Sequence, residues 1–264
     1  MNFVTVGGVT LHYRREGLAQ GTPLLFLNSL GTDLRIWQGV SLHLVDHFPL
    51  IRYDLRGHGL SDVPPGPYTI ADHANDLVGL LAHLQLETVI LAGISVGGIV
   101  AMDFAARFPA RTAALVLCDT TDQLGTADYW NERIAAIKQK GMEQLADSIL
   151  DRWFAPGFAE RRPAAYRGYR NLLLRAPVEG YIGTCAALRD VHFEGVAEAI
   201  DARTLVLCGA EDVATPPQVV RALAEKMPNG HFTLVDGAGH LPCVERPAVL
   251  ASLVDAFLKE SVEQ

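Results

Sequence analysis

The sequence has few of the features that mark metal-binding, redox or disulfide-stabilised proteins. Its 264 residues include only four cysteines, Cys118, Cys185, Cys208 and Cys243, and no two of them have Cys-x-x-Cys spacing. That spacing is typical of zinc sites and dithiol redox centres. Two of the four end apolar runs, ALVLC and TLVLC. We therefore expect reduced, mostly buried thiols and no metal site.

Long apolar segments are also missing. No apolar run approaches the ~20 residues that a membrane-spanning helix needs. The opening stretch, MNFVTVGGVT, has neither the basic segment nor the apolar core of a signal peptide. We find no internal repeat and no low-complexity segment. These absences predict a globular, cytoplasmic protein with no membrane partner.

Positive charge is scarce as well. Lysine and arginine number 22 against 30 aspartates and glutamates, for a formal net charge of −8. Nucleic acid and anionic membranes both favour a basic surface, so this balance argues against either as a partner. The deficit is uneven, because residues 120–191 hold 10 basic and 9 acidic residues and the remainder holds 12 and 21. The middle segment therefore suits an anionic ligand better than the rest.

What the sequence does contain is an alternation of strand-like and helix-like segments. Helical spacing is clearest in ADHANDLVGLLAHL, GGIVAMDFAARF and RPAVLASLVDAFLKE. Short apolar runs between them predict strands at residues 9–13, 24–27, 50–53, 89–92, 114–118, 203–208 and 231–236. This alternation predicts an α/β fold, in which helices cover a mostly parallel sheet.

The alternation is interrupted after Cys118. Residues 122–190 contain helical stretches, most clearly WNERIAAIKQKGMEQLADSILDRWF, but no convincing strand. We predict a core of residues 1–119 and 192–264 and a helical cap of residues 120–191. The cap would leave the sheet at the carboxyl end of a strand, the edge where open parallel sheets bind ligands.

A serine between glycines is the first candidate for chemistry. Residues 93–98 read GISVGG, with an apolar strand before them and a helix after. In that context the G-x-S-x-G pattern is typical of a nucleophile at a strained strand-to-helix turn. We predict that Ser95 is the nucleophile and that Gly93 and Gly97 relieve a steric collision at the turn. A plain glycine-rich turn is the structural alternative.

A serine hydroxyl needs a base, and the base needs an orienting carboxylate. His240 and Asp212 both follow predicted strands, in the chain order Ser, Asp, His, so all three can meet at one sheet edge. Asp119 also follows a strand and remains an alternative to Asp212. We assign three other histidines, His43, His73 and His83, to helix surfaces.

The tetrahedral intermediate needs two hydrogen-bond donors. The backbone N–H of Val96, directly after the nucleophile, is one candidate. The loop FLNSLGTD after the third strand offers the other, at Leu30. The same loop composition is also compatible with an ordinary turn.

These motifs resemble the α/β-hydrolase fold superfamily over the whole chain. The resemblance implies an eight-stranded, mostly parallel sheet with a helical cap inserted after strand 6. The segment YDLRGHGLSD is also similar to a common motif of that superfamily. We interpret it as structural, with Arg56 and His58 holding a turn. Fold by itself does not identify a reaction.

A narrower resemblance is to the 3-oxoadipate enol-lactonases of the β-ketoadipate pathway of aromatic catabolism. It is carried by NSLGTDLRIW, RYDLRGHGLSDVPPGPYTI, GISVGG and the cap stretch TADYWNERIAAIKQKGMEQLADSILDRWF. Asn28 and Ser29, in place of the superfamily's usual His-Gly pair, also fit this family. The resemblance implies hydrolysis of a small anionic enol-lactone to 3-oxoadipate, with no cofactor.

Ser95, His240 and Asp212 cannot recognise the free carboxylate of such a substrate. Trp130 and Arg133 lie three residues apart and would share one face of a cap helix. An arginine binds a carboxylate with two parallel hydrogen bonds, and an indole N–H can add a third. We predict this pair as the substrate-binding residues, with Trp153 and Arg189 as substitutes. A solvated arginine and a packing tryptophan are the structural alternative.

Two other functions are compatible with the same residues. Another capped hydrolase, such as a carboxylesterase or a carbon–carbon bond hydrolase, would use the same triad. A ligand receptor could also retain the three triad residues and turn over its ligand slowly or not at all. The sequence leaves the oligomeric state open.

Overall fold

The computed structural model describes residues 1–260 and is built on one eight-stranded sheet. Its strand order is β1-β2-β4-β3-β5-β6-β7-β8. β2 runs antiparallel to β1 and β4, and every other pairing is parallel. The strands are β1 Asn2–Val6, β2 Val9–Gly17, β3 Leu24–Leu27, β4 Pro49–Tyr53, β5 Val89–Ile94, β6 Thr112–Cys118, β7 Thr204–Gly209 and β8 Gly230–Val235. The predicted fold class is confirmed.

β1 is the one strand that the apolar runs did not reveal. It is mostly exposed, with the burial of an edge strand rather than of the core. Gly7 and Gly8, both at positive φ, turn it back onto β2. Glycines adopt this conformation without steric cost, which suits a tight hairpin turn. A five-residue edge strand that is mostly exposed gives a shorter and weaker hydrophobic pattern than a buried strand.

Eleven α-helices lie within the described residues. α3 packs against β3, β5 and β6 and also against α2, while α1 packs against α11. The helices are α1 Gln38–Leu44, α2 Ile70–His83, α3 Val96–Arg107, α4 Ala127–Lys140, α5 Glu143–Trp153, α6 Phe158–Arg161, α7 Pro163–Leu174, α8 Val178–Arg189, α9 Pro217–Lys226, α10 Pro242–Glu245 and α11 Pro247–Lys259. None of them is long and apolar enough to cross a bilayer.

The segment between β6 and β7 is helical throughout its regular structure, as predicted. It contains α4 to α8 and one short 3₁₀ turn. The long predicted stretch at residues 130–154 is divided into α4 and α5 at Gly141, which has a φ of 77°. α4 packs against α8 and α5, and α5 packs against α7. We call this inserted unit the cap; its predicted limits, residues 120–191, stay a prediction.

The core confirms some side-chain predictions and corrects one. All four cysteines are free and buried, as expected. His43 and His83 are exposed on their helices. His73 was expected on a helix surface, but it is fully buried and packs edge-on against Tyr68. The prediction was wrong because His73 lies on the face of α2 that is turned to the protein interior, together with Ala74 and Leu77.

Candidate active site

Ser95 occupies the strained corner between β5 and α3. Its φ of 55° and ψ of −122° are rarely adopted by a residue with a side chain. A Cβ added at Gly93 would lie 2.3 Å from the Gly97 carbonyl oxygen, and one at Gly97 would lie 2.6 Å from the Leu27 carbonyl oxygen. The predicted reason for the two glycines is therefore confirmed. Such strain is typical of functional sites.

His240 and Asp212 meet at the same edge of the sheet. Asp212 Oδ2 lies 2.8 Å from His240 Nδ1. The carboxylate also accepts hydrogen bonds from the Ala214 N–H at 2.7 Å, the Thr215 N–H at 3.1 Å and the Thr215 hydroxyl at 2.5 Å. Burial acts to raise the pKa of Asp212, but the neighbouring His240 and the hydrogen bonds from His240 and Thr215 outweigh it and lower the pKa. Asp212 therefore remains a carboxylate that holds the ring in place.

Asp119, the alternative acid, lies behind this pair. It is fully buried at a φ of 46°, and its Oδ1 accepts the Gly209 N–H at 2.8 Å. Burial and the neighbouring Asp212 raise its pKa well above the usual range for a carboxyl group. A neutral carboxylic acid cannot stabilise an imidazolium as an anion does. The geometry thus pairs Asp212, and not Asp119, with His240.

Ser95 and His240 open onto one cavity of about 270 Å³ between the sheet edge and the cap. Its core wall also includes Ser29 and Leu30, and its cap wall includes Tyr129. Among residues 1–260 no hydrogen bond joins Ser95 Oγ to the imidazole. Catalytic hydrogen bonds are often long before substrate binds and tighten in the complex. Remaining cap residues of the lining are Leu124, Gly125, Trp130, Arg133, Ile149, Arg152, Trp153 and Tyr181.

One predicted oxyanion donor, Val96, follows Ser95 directly, and the other, Leu30, belongs to a neighbouring loop. Val96 is the first residue of α3, so its N–H has no acceptor within the helix. Leu30 lines the cavity that also contains Ser95. Positive charge density at a helix N-terminus favours an anion there. The arrangement is compatible with an oxyanion site at these two residues.

The loop that carries Leu30 is fixed from both sides. The Asn28 amide donates to the Ser29 and Thr32 carbonyl oxygens, each at 3.0 Å, and accepts the Leu55 N–H at 3.1 Å. The neighbouring Gly31 N–H donates to His58 at 3.2 Å. These contacts give a structural reason for a buried asparagine at the start of the loop.

His58 and Arg56 hold the turn, as the sequence predicted. His58 Nε2 accepts from Gly31, so Nδ1 carries the proton and donates to the Arg56 carbonyl oxygen at 3.0 Å. Burial lowers the pKa of His58, which favours this neutral form. Arg56 forms a two-pronged ion pair with Asp76 at 2.6 and 2.7 Å. The motif thus supports the loop that carries Leu30, and neither Arg56 nor His58 lines the cavity.

Trp130 lines the cavity, but its N–H points elsewhere. The indole donates to the Leu124 carbonyl oxygen at 2.5 Å, within the cap. The expectation that this N–H faces a substrate carboxylate is therefore wrong for this conformation. A loop carbonyl six residues upstream competes for the same donor, and nothing in the residue spacing reveals it. The ring face remains available to cover an apolar part of a substrate.

Arg133 lines the cavity without an acidic partner. Its guanidinium donates to the Tyr129 hydroxyl at 2.7 Å, and among residues 1–260 no carboxylate lies within 4.0 Å of it. Burial acts to lower the pKa of Arg133, but Tyr181 and Tyr129 outweigh it, so the group stays charged. A partly buried cation with no counter-ion attracts an anionic ligand. This is the predicted position for carboxylate recognition.

Arg152, on α5, is a second cavity arginine that the sequence analysis missed. It lies 5.9 Å from the centre of the Tyr129 ring, and Arg133 lies 5.5 Å from the same centre. Neither arginine is ion-paired in the described part of the chain. The substitute Arg189 is bound to Asp190 at 2.6 and 2.7 Å and lies outside the lining, whereas Trp153 lies within it.

One group of three potential metal ligands lies within residues 1–260: Asp119, Cys208 and Asp212, whose ligand atoms are all within 4.8 Å of one another. Hydrogen bonds already occupy both Asp212 oxygens. Burial raises the pKa of Cys208 and of Asp119, which keeps both protonated. Metal binding requires deprotonated ligands. We therefore interpret these three residues as structural support for His240 and not as a metal site.

Comparison with known proteins places this geometry in context. A family model described as the alpha/beta hydrolase fold matches residues 22–247. 3-Oxoadipate enol-lactonase 2 of Acinetobacter baylyi is 33% identical over 97% of this chain and 96% of its own.

Solved structures show the same likeness. A crystal structure of the enol-lactonase from Burkholderia xenovorans matches with a TM-score of 0.94 and 33% identity, covering 98% of this chain and 100% of that one. A thermophilic esterase from Thermogutta terrifontis, solved with malate bound, matches with a TM-score of 0.92 and 29% identity, covering 98% and 99%. The similarity thus extends over the sheet and the inserted helices together.

Proposed function

Since this chain belongs to the alpha/beta hydrolase fold family, we propose that it hydrolyses 3-oxoadipate enol-lactone to 3-oxoadipate in the catabolism of aromatic compounds. The choice of an anionic substrate rests on one observation: Arg133, which has no ion-pair partner among the described residues, lines the cavity that also contains Ser95 and His240. The relatives named enol-lactonase support the same reaction. Arg133 would bind the free carboxylate while the lactone carbonyl lies at Ser95.

In the first half of the proposed reaction, Ser95 Oγ bonds to the ring carbonyl carbon and His240 takes the hydroxyl proton. The N–H groups of Val96 and Leu30 stabilise the carbonyl oxygen as it becomes negative. Collapse of the intermediate breaks the ring C–O bond. The enolate takes the proton from His240 and becomes the ketone of an acyl-enzyme.

In the second half, His240 removes a proton from water, whose oxygen attacks the acyl carbon. The Ser95–acyl bond breaks, and the proton passes from His240 to Ser95 Oγ. Asp212 stabilises the imidazolium in both halves. An enolate leaves more readily than an alkoxide, so ring opening makes a smaller demand on His240 as an acid. No step requires a cofactor.

A carboxylesterase activity is the second candidate. It is supported by the likeness to the thermophilic esterase, which is nearly as close in structure as the enol-lactonase. The same triad would serve a simple ester. Only the cap wall, with Arg133 and Arg152, favours an anionic substrate over a neutral one.

The proposal is tested by steady-state hydrolysis of enzymatically generated 3-oxoadipate enol-lactone, with a neutral aryl acetate alongside. We expect the wild type to prefer the lactone strongly. Ser95→Ala should lower kcat for both substrates by about 10⁵- to 10⁶-fold. Ser29→Ala, at a second serine of the same cavity, serves as the matched control and should change kcat little.

Each alternative has its own outcome. If the protein hydrolysed only the ester, the proposed triad would be kept. The lactonase proposal would be rejected in favour of a carboxylesterase. Binding that raises Tm without sustained turnover of either substrate would identify a ligand receptor. A kcat in Ser95→Ala close to that of the wild type would contradict the role of Ser95 as nucleophile.

A further inference from the structure

The loop that carries His240 is held by its two neighbours in the chain. The Gly239 N–H donates to Glu245 Oε1 at 2.7 Å. The Leu241 N–H donates to the Trp153 carbonyl oxygen, at the end of α5 in the cap, at 3.0 Å. The residues before and after the proposed base are therefore fixed independently of its ring.

Glu245 reaches the cap as well as the loop. The Ala155 N–H, two residues beyond α5, lies 3.2 Å from Oε1 and 3.3 Å from Oε2. A Cβ added at Gly239 would lie 2.6 Å from the Ala155 nitrogen, so the two backbones are in direct contact at this point. One carboxylate thus joins the His240 loop to the end of the cap helix.

The position of Glu245 makes this contact strong. The residue is only 9% exposed; burial raises the pKa of its carboxyl group, and the hydrogen bonds from the Gly239 and Ala155 N–H groups act against that rise by stabilising the carboxylate. Removing a buried acceptor would leave the Gly239 and Ala155 N–H groups without partners. The backbone on either side of the contact would then have to move to reach water or another acceptor.

The same cap helix forms part of the cavity wall. Ile149, Arg152 and Trp153 of α5 all line the cavity that contains Ser95. We propose that Glu245 is a positioning residue, which fixes the His240 loop against the end of α5 and so sets the distance between the imidazole and the substrate held by the cap. Since a displacement of about 1 Å can cost a hundredfold in rate, a small shift of this loop is enough to matter. The proposal rests on the proposed roles of Ser95 and His240.

Glu245→Gln is the variant that tests this role, since it keeps the size of the side chain and replaces one acceptor by a donor. We expect kcat per folded molecule to fall at least about tenfold for both the lactone and the aryl acetate, with KM within about twofold. The proton NMR resonance of the His240 Nδ1–H, shared with Asp212, should also shift or broaden. A purely structural contact would change neither kcat nor this resonance.

Thr69→Ala is the matched control. It removes the side-chain cap of α2, far along the chain from the site, and should therefore lower the stability of the fold. We expect a lower Tm with unchanged kcat. If Glu245→Gln behaves in the same way, with a lower Tm, an unchanged kcat and an unchanged resonance, the positioning role is overturned.

Two further arms keep the test decisive. If the glutamine variant does not accumulate as folded protein, Glu245→Asp keeps the charge but shortens its reach by one methylene. A wild-type kcat in that variant overturns the proposal, and a fall in kcat at constant KM supports it. If the wild type hydrolyses the ester and not the lactone, the lactonase proposal fails while the ester rates still decide the role of Glu245.

Discussion

The two walls of the cavity differ in how their polar groups are satisfied. Behind the core wall, the Asp212 carboxylate receives four hydrogen bonds and Asn28 holds its loop with three. On the cap wall, Arg133 and Arg152 have no acidic partner among the described residues. Hydrogen bonds of this kind fix the groups behind the core wall in place, whereas an arginine without an acidic partner can bind an anionic ligand. We infer that the sheet edge supplies the chemistry and the cap supplies the selectivity.

The largest effect should follow from breaking the core wall. We expect Asp212→Ala to lower kcat on the order of 10⁴-fold for the lactone and for a neutral ester alike, because the imidazolium loses its counter-ion and its orientation. Steady-state kinetics on both substrates measure this loss. A change confined to KM would separate Asp212 from the chemistry.

Asp119→Asn is the control for that experiment. Because the buried carboxyl is held neutral, an amide of the same shape should lower kcat less than about tenfold. The reverse pattern, with the larger loss at Asp119 and the smaller at Asp212, would reassign the triad acid. It would also show that the core wall reorganises when substrate binds.

A smaller and more selective effect should follow on the cap wall. We expect Arg133→Ala to lower kcat/KM for the anionic lactone by about 10- to 100-fold, the value of a hydrogen-bonded charge pair. Hydrolysis of a neutral aryl acetate should be nearly unchanged. The ratio of the two kcat/KM values is the measurement, because it cancels any general loss of folded enzyme.

Variants of Arg152 and Arg189 serve as comparisons for the same ratio of kcat/KM values, lactone over ester. Arg152→Ala should shift it in the same direction but less, since Arg152 makes no hydrogen bond to the Tyr129 hydroxyl that orients Arg133. Arg189→Ala removes an equal charge from the cap outside the cavity and should leave the ratio unchanged. If Arg133→Ala lowered kcat/KM equally for the lactone and the ester, Arg133 would have no role in carboxylate binding. The distinction between a catalytic core wall and a selective cap wall would then fail.

The same contrast separates what the sequence reveals from what it hides. Ser95, Asp212 and His240 each follow a strand, so topology alone brings them to one edge, and local glycines mark the turn. Arg152 and Glu245 lie within helices, where no spacing shows which charged side chain turns inward. Their neighbours come from segments about 20 and 90 residues away in the chain. Long-range packing of this kind has no local pattern.

The smallest effect on activity should come from Trp130→Phe. In the structure the indole N–H is bonded to the Leu124 carbonyl oxygen, so the substrate should not depend on it. We expect kcat/KM for the lactone to change less than about threefold, while the free energy of unfolding falls by about 1 to 3 kcal/mol from the lost hydrogen bond and ring volume. Urea denaturation and lactone kinetics measure the two quantities separately. A selective loss on the lactone as large as that of Arg133→Ala would mean that the indole turns to the carboxylate when substrate binds. The cap wall would then change its hydrogen bonds during catalysis while the core wall keeps them.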